Sequence, residues 1–234
     1  PAPHGSGPVV VWLKSSFRLH ENPAIDLGRH IAAEHNRPLL IYHGIDERYP
    51  HASLRHHTML LDAAVDMDEG CRKAGLRYVL HVARDGHRPS VMKAFSQSAS
   101  CIITDLFPLP PWTNWVDSIA ASAACPVFDV DCHCVIPMPL FGKSVDRPYK
   151  FRDATKKMRK KRLQATWPTI DVRPEAYTGS LPFEPVNVNE DIKNLSKRFE
   201  LLSKCSIDPS VLPVWHERGG EKEALSKWQR FYDK

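Results

Sequence analysis

The stretch VVVWLKSSFRLHENP, residues 9–23, decides the fold of this 234-residue chain. Its first five residues form an uninterrupted apolar run, which is typical of a parallel strand buried on both faces. A polar loop follows, and Asn22-Pro23 then place a helix N-cap directly before a proline at the first helical position. The stretch therefore predicts a buried strand, a loop and the start of a helix.

The same alternation of strand and helix continues as far as residue 130. Five short apolar runs predict strands at residues 8–13, 38–43, 77–82, 100–104 and 126–130. Helices are predicted between them, the second from a Ser53 cap to Gly75, the third opened by Arg88-Pro89 and the fourth capped by Thr113. This order predicts an α/β fold with a five-stranded doubly wound parallel sheet. In such sheets, ligands bind beyond the carboxyl ends of the strands, where the strand order reverses.

The sequence changes character after residue 140. Residues 164–214 contain six prolines and no clear strand pattern, which predicts a linker with one short helix at 194–202. We therefore expect an α/β domain at 1–140, a basic segment with a Pro-rich linker at 141–218, and a short helical tail at 219–234. The amphipathic helix predicted in the tail, residues 221–232, needs a partner surface: either it folds back on the α/β domain, or its partner is missing.

Positive charge is concentrated in one part of the chain. Residues 143–162 hold ten lysines and arginines against two aspartates, and a helix is predicted at 149–163. Because the whole chain carries only +5, a surface that binds nucleic acid throughout is not expected. The run 156–162 suits phosphates or an acidic partner, and it has no interleaved aromatic residues for base stacking. Residues 143–162 and 219–234 are the predicted contacts with a larger protein complex.

The cysteines and the termini bear on location and metal binding. The six cysteines lack the spacing of a small secreted domain, which predicts a reducing, intracellular environment. Cys132-His133-Cys134 is not expected to bind zinc, because no second Cys/His pair follows at zinc spacing. The chain begins with Pro1 in place of Met, and it has no apolar run of about 18 residues that would span a membrane. A nuclear or organellar protein, plastid or mitochondrial, that has lost a targeting peptide is therefore expected.

Several motifs resemble the photolyase/cryptochrome family. Residues 9–22 resemble its opening strand and loop: Arg18 and Glu21-Asn22 match, whereas Lys14-Ser15-Ser16 departs from the usual Arg-Asp pair. Residues 102–109 and 127–137 are similar to the fourth and fifth strands of class II photolyases. Residues 208–215 and 219–231 resemble the passage into their helical domain and its first helix. The resemblance therefore implies that residues 219–234 are the first helix of a helical FAD domain that is missing or lost. The chain thus resembles the N-terminal α/β domain of this family, most closely that of class II photolyases.

The resemblance implies a set of cofactors and an activity. The α/β domain of the family has an antenna-chromophore pocket, which implies a deazaflavin or flavin here. A second, helical domain holds FAD and the lesion cavity and performs light-driven repair of pyrimidine dimers, or serves light signalling. The resemblance therefore implies that this chain is not catalytic alone. It also implies FAD only if a further helical domain exists, DNA contact only together with that domain, and no metal.

Candidate ligand contacts follow the carboxyl ends of the predicted strands. Asp105 suits a ring N–H, Phe107 and Leu109 suit the face of a flat heterocycle, and Gly44 permits close approach of the backbone. The predicted chromophore-binding residues are Lys14, Ser15, His43, Gly44, Asp46, Asp105, Phe107, Leu109 and Asp131. Two other interpretations stay open, namely a turn in which Asp105 accepts local backbone donors and a solvated loop at Lys14 and Ser15.

Three functions follow from these patterns. The first is an antenna or nucleotide-like binding domain of a light-dependent DNA-repair or blue-light-sensing protein. The alternative is a free-standing photolyase-like domain that acts as a structural or regulatory subunit of a larger complex. A nucleotide-binding enzyme unrelated to light is weaker, because no Gly-rich phosphate loop follows the first strand and no nucleophile–base spacing is present.

Overall fold

Five parallel strands and eight α-helices follow one another in a computed structural model that describes residues 3–234. Pro1, on which the expectation of a processed N-terminus rests, lies outside the described residues. The strands are β1 (Val9–Leu13), β2 (Leu39–Ile45), β3 (Tyr78–Val82), β4 (Cys101–Asp105) and β5 (Val127–Val130). The helices are α1 (Pro23–Glu34), α2 (Leu54–Lys73), α3 (Val91–Ser98), α4 (Trp112–Ala120), α5 (Met138–Phe141), α6 (Pro148–Leu163), α7 (Leu195–Ser203) and α8 (Glu221–Tyr232). The predicted strands are confirmed, with bounds that differ by one or two residues.

The sheet has the order β3-β2-β1-β4-β5, so its direction of winding reverses between β1 and β4. Val11 of the central strand pairs with Ile41 on one side and with Ile103 on the other. Because side chains alternate between the faces of a strand, Val11 packs under α1 and α2, whereas Val10 and Trp12 pack under α3 and α4. Both faces are covered, which explains why the strands are continuous apolar runs. The predicted α/β fold class is confirmed.

Local capping agrees with the sequence in two helices and differs in two others. Asn22 accepts hydrogen bonds from the backbone N–H groups of Ala24 and Ile25, and Ser53 accepts one from His56. The third helix begins at Val91 and not at Arg88-Pro89, and the fourth begins at Trp112, ahead of the predicted Thr113 cap. The carbonyl of Pro111 already accepts the N–H of Trp115, so the helical turn starts before Thr113.

The Pro-rich segment packs along the sheet. The N–H of Leu39 donates to Glu175, Tyr177 returns a hydrogen bond to Leu39, and the N–H of Val186 donates to Leu80. Residues of this segment and of α7 build a third apolar cluster against α2 and β3, namely Val186, Val188, Ile192, Leu201 and Leu202. The predicted short helix is confirmed as α7, with Asn194 as its N-cap. The segment therefore covers one edge of the α/β fold with ordered chain.

The last helix is attached through its first turn. The Glu221 carboxylate accepts hydrogen bonds from the backbone of Leu19 and His20, and Asp66 accepts one from Lys222. The side of α8 that carries Trp228 and Phe231 is exposed. Within residues 3–234, no helix has both the length and the apolar composition that crossing a membrane requires.

Candidate functional site

The crevice expected at the strand-order reversal is filled by Asp105. Its carboxylate is fully buried at the end of β4, and it accepts hydrogen bonds from the backbone N–H groups of Lys14, Ser15 and Ser16 at 2.9, 2.6 and 2.5 Å. The hydroxyl of Ser15 adds a fourth at 2.7 Å. Asp105 therefore joins the loops that follow β1 and β4, and its hydrogen-bonding capacity is used within the protein.

A cavity of about 690 Å³ opens next to this joint, on the face covered by α3 and α4. Its floor is formed by the carboxyl ends of β1, β2 and β3, and its walls by the loop after β2 and the two helices. The residues that line it include Trp12, Lys14, Tyr42, Gly44, Asp46, Arg48, Tyr49, His81, Lys93, Trp112 and Trp115. Its volume lies within the range of about 300–1,000 Å³ that small-molecule sites occupy.

One wall of the cavity is aromatic. The ring centroid of Tyr49 lies 5.3 Å from that of Trp112 and 6.4 Å from that of Trp115, and the two indoles are 6.0 Å apart. Tyr49 comes from the loop after β2 and the tryptophans from α4, so this wall joins two separate parts of the chain. Aromatic rings at these separations present apolar faces to a planar ligand.

A lysine lies at the opposite end of the floor. The side chain of Lys14 is only 3% exposed, its Nζ sits 5.1 Å from the ring centre of Trp12, and the nearest carboxylate oxygen, on Asp129, is 3.9 Å away. Burial lowers the pKa of Lys14, against the opposing effect of Asp105 and Asp129. The cavity therefore has a desolvated amine in its floor.

The remaining polar groups lie towards β3. The Tyr42 hydroxyl is 3.4 Å from Nδ1 of His81, whose pKa burial lowers. Arg48 donates to both oxygens of Asp46 at 2.9 and 2.6 Å. Although burial opposes it, this hydrogen bonding holds the pKa of Asp46 below its usual value. The end of the cavity near β3 thus carries an ion pair and hydrogen-bonding rings.

Gly44 brings the backbone of β2 to the cavity. A Cβ atom at this position would lie 2.6 Å from the Tyr42 hydroxyl, which is too close for unstrained packing. Lys14, Gly44 and Asp46 are therefore the three predicted site residues that the structure brings together around one cavity.

The other predicted residues lie elsewhere. His43 is in the core, stacked 4.1 Å from Phe17, with Nδ1 2.7 Å from the Tyr78 hydroxyl, and burial lowers its pKa to about 3. Phe107 packs against Trp112 behind the cavity wall, and Leu109 is 58% exposed. None of these three lines the cavity.

Ser15 and Asp131 organise loops. The Ser15 hydroxyl lies between Asp105 and Nε2 of His133, 3.0 Å from the latter. Asp131 accepts backbone hydrogen bonds from His133, Cys134 and Met138, and it borders a second cavity of about 720 Å³ beside β5. Ser15 and Asp131 therefore shape turns near the cavity that has the aromatic wall, without lining it.

The Cys132-His133-Cys134 motif is split between two environments. Cys132 is buried with its sulfur 3.7 Å from the Asn22 side-chain oxygen, whereas Cys134 is exposed. In the part of the chain that the structure describes, no three His, Cys, Asp or Glu side chains are grouped closely enough to hold a metal ion.

Sequence reasoning missed the aromatic wall and His81. Trp112 and Trp115 are three residues apart on a helix, a spacing that puts them on one face, but nothing in the chain indicates that this face meets Tyr49. The signal that was available is their position directly after the β4 loop, at the ligand-binding edge of the sheet.

Comparisons with known proteins agree with this fold. A family model described as DNA photolyase matches residues 9–174. A deoxyribodipyrimidine photo-lyase of Methanothermobacter thermautotrophicus is 27% identical over 95% of this chain and 46% of its own length. One of Potorous tridactylus is 26% identical over 95% of this chain and 40% of its own length. The chain therefore spans less than half of these curated relatives.

Two solved structures share the fold. An archaeal photolyase from Sulfolobus tokodaii, described with two FAD molecules and an implied novel light-harvesting cofactor, has a TM-score of 0.56 at 16% identity. The match covers 93% of this chain and 45% of that one. A class III photolyase from Agrobacterium tumefaciens has a TM-score of 0.59 at 15% identity, with 99% and 46% covered.

Proposed function

The chain belongs to the DNA photolyase family, and we propose that its α/β domain binds a planar, flavin-like antenna chromophore in the cavity lined by Lys14, Gly44 and Asp46. The observation that carries the proposal is a ligand-sized cavity with an aromatic wall at the carboxyl edge of the sheet. A flavin or deazaflavin fits such a site, because it combines a flat apolar ring with polar edges. When bound, this group would absorb light and pass the excitation on.

The protein's own residues supply binding and orientation. Tyr49, Trp112 and Trp115 would stack on the ring, and Gly44 would let it approach the backbone of β2. Lys14 would meet an electron-rich edge, and the Asp46–Arg48 pair with His81 would hydrogen-bond a polar substituent. Asp105 takes no part in ligand contact in this proposal; it holds the loop that positions Lys14.

The wider context is a light-dependent DNA-repair or blue-light-sensing protein. In this proposal, FAD binding, DNA binding and lyase activity all require a helical domain. Residues 219–234 resemble the first helix of such a domain. The class II assignment, the domain limits at 140 and 218, and a nuclear or organellar location remain predictions. They rest on the motifs and the composition of the sequence.

Ligand titration tests the proposal. The chain would be titrated with FMN, riboflavin and 5-deazariboflavin, following absorbance above 350 nm and quenching of tryptophan fluorescence. We expect saturable 1:1 binding and a loss of at least tenfold in affinity when Trp112 and Trp115 are both replaced by alanine, since ring stacking is worth about 1–3 kcal/mol. Trp215→Ala is the matched control, because Trp215 is 84% exposed and outside the cavity.

Either of two titration results would contradict the proposed chromophore site. If none of the three ligands binds saturably to a folded chain, or if the control variant weakens binding as much as the double variant does, the cavity is not a chromophore site.

A structural or regulatory role in a complex is the second candidate. It rests on the exposed apolar face of α8, with Trp228, Phe231 and Tyr232, and on the exposed cations of α6. Gel filtration of material from the native source distinguishes the candidates, because a subunit elutes well above the 26.6 kDa of the chain. Elution of this chain as a free monomer would exclude the subunit role.

A further inference from the structure

Helix α6 lies on the surface of the protein, and Thr155 is its buried residue. Near the first turn of α6, the ring of Phe151 meets that of Phe141 edge to face, with the centroids 5.2 Å apart. In the last turn, the guanidinium of Arg162 donates to the carbonyl oxygen of Val135. Between these two attachments lies the α5–α6 groove, a space of about 830 Å³ formed by α6, α5 and the chain on either side of α5.

The floor of the α5–α6 groove is apolar. The Thr155 hydroxyl donates to the carbonyl oxygen of Phe151 at 2.7 Å, so its hydrogen bond is used within α6. The apolar side chains that line the groove are Val135, Ile136, Met138, Phe141, Val145 and Phe151. Those of Val135, Met138 and Phe151 are exposed to solvent. An exposed apolar surface with a charged rim is typical of a site at which another molecule binds.

Positive charge surrounds this floor. Lys143, Arg147 and Arg159 line the same groove, and Nζ of Lys143 lies 5.6 Å from the ring centre of Phe141. Residues 143–162 hold ten lysines and arginines and two aspartates, and both aspartates are already paired with cations of α6. The three cations of the groove therefore have no carboxylate partner within residues 3–234, and they attract an anionic partner.

The apolar floor and the cationic rim together define the chemistry of that partner. A nucleic acid supplies phosphates but no apolar surface for the floor, and residues 156–162 hold no aromatic side chain on which bases could stack. A lipid bilayer presents a flat plane of head groups, which would meet the cations and leave a concave floor unfilled. An α-helix about 10–12 Å across suits a groove, and it can carry apolar side chains along one face with carboxylates beside them.

We propose that the α5–α6 groove binds an acidic amphipathic helix of a partner protein. The apolar face of that helix packs on Val145 and Phe151, and its carboxylates pair with Arg147 and Arg159. In the described chain, the groove shares no lining residue with the cavity that has the aromatic wall, so this inference is independent of the chromophore proposal. It gives the second candidate function, a subunit of a complex, a partner of defined chemistry.

Model peptides test the inference by fluorescence anisotropy with this chain. The first peptide, of about 18 residues, carries leucine along one helical face and glutamate and alanine along the others. A second peptide has glutamine in place of every glutamate, and a third has serine in place of every leucine. We expect the first peptide to bind at least about tenfold more tightly than either of the others. Its affinity falls as NaCl is added, because salt screens the ion pairs.

The double variant Arg147→Gln/Arg159→Gln tests the charge at the rim. We expect it to weaken binding of the first peptide by about tenfold and to reduce the salt dependence. Lys93→Gln/Lys193→Gln is the matched control, because it removes two exposed lysines that lie outside the groove. The control changes the affinity by less than about threefold.

Val145→Ser tests the apolar floor. It weakens binding of the first peptide by about threefold or more, because the leucine face loses a contact. Val211→Ser is its control: the same side chain is removed at a position that is 36% exposed and outside the groove, so the affinity is unchanged. Urea unfolding of each variant confirms that the fold is intact before affinities are compared.

Each remaining outcome overturns the inference. The first peptide does not bind, or the rim variant and its control weaken binding equally. A DNA duplex binds more tightly than the peptide and is indifferent to Val145→Ser, which would identify a surface for polyanions. Phosphatidylserine vesicles bind the chain and the peptide does not, which would identify a membrane surface. The chain forms a dimer in sedimentation velocity that Arg147→Gln/Arg159→Gln dissociates, which would identify a second copy as the occupant. Flavin titration of the same samples reports on the chromophore site separately.

Discussion

Replacing Asp105 by alanine tests whether this carboxylate is the joint between the loops after β1 and β4. The change removes the acceptor for three backbone N–H groups and one hydroxyl. Leaving a buried donor unpaired costs about 1–3 kcal/mol. Because Lys14 and Ser15 are only partly buried there and water can reach part of the gap, we expect a loss of about 4 kcal/mol in the free energy of unfolding.

Urea unfolding followed by far-ultraviolet circular dichroism measures this loss at pH 7.5. Asp129→Ala is the matched control: it removes a carboxylate at the end of the adjacent strand that accepts no backbone hydrogen bond in the described chain, so only its 3.9 Å ion pair with Lys14 is lost and the expected cost is about 1–2 kcal/mol. Asp105→Asn should fall between the two, because the amide keeps one acceptor oxygen and presents an N–H₂ group to the other donors.

A loss for Asp105→Ala no greater than that of the control would refute the reasoning, since the three N–H groups would then be satisfied without the carboxylate. A second consequence is testable in the same samples. If Asp105 holds the backbone of Lys14, its removal also weakens binding of a flavin-like ligand, even though Asp105 does not line the cavity.

Three further perturbations follow from the packing. Gly28→Ala puts a Cβ atom 2.5 Å from a methyl of Val11, so α1 is pushed from the sheet; we expect a loss of about 1–3 kcal/mol and a lower melting temperature by calorimetry. Gly44→Ala puts a Cβ atom 2.6 Å from the hydroxyl of the buried Tyr42 at the cavity; we expect a loss of about 1–3 kcal/mol in the free energy of unfolding and a lower ligand affinity by titration. Burial lowers the pKa of His57 from 6.5 to about 4, so the unfolded chain binds its proton first, and stability falls by about 3 kcal/mol as the pH drops from 6.5 to 4. His57→Leu should reduce that fall in pH-dependent urea unfolding, and an unchanged pH dependence would contradict the assignment.

The strands were predictable because their environment is uniform. Residues 9–13 are covered on both faces, so every position is apolar and the run is visible without knowing its neighbours. Asn22-Pro23 was equally informative, because the capping oxygen acts on N–H groups only two and three residues away. Local chemistry of this kind is fully contained in the sequence.

The position of the cavity was not predictable, because it depends on where one side chain points. The pattern places Asp105 at the ligand-binding edge, and the structure turns its carboxylate into the β1 loop, about 90 residues away in sequence. The ligand space therefore lies beside the reversal point, on the α3 and α4 face. Likewise, the segment around Val186 has no periodic apolar pattern that predicts its packing on β3, because prolines interrupt the sequence there.

Lys14-Ser15-Ser16, which departs from the Arg-Asp pair usual at this place in the family, forms the loop that Asp105 fixes. The three backbone N–H groups of this tripeptide bind the same carboxylate, so the loop is fixed at the residue whose side chain enters the cavity. Fixing the backbone of Lys14 sets where its side chain begins, and its ammonium lies 5.1 Å from the centre of the Trp12 ring. Asp105 and Lys14 should therefore be energetically coupled in ligand binding: the effect of Lys14→Gln on affinity is large when Asp105 is present and small in an Asp105→Ala background.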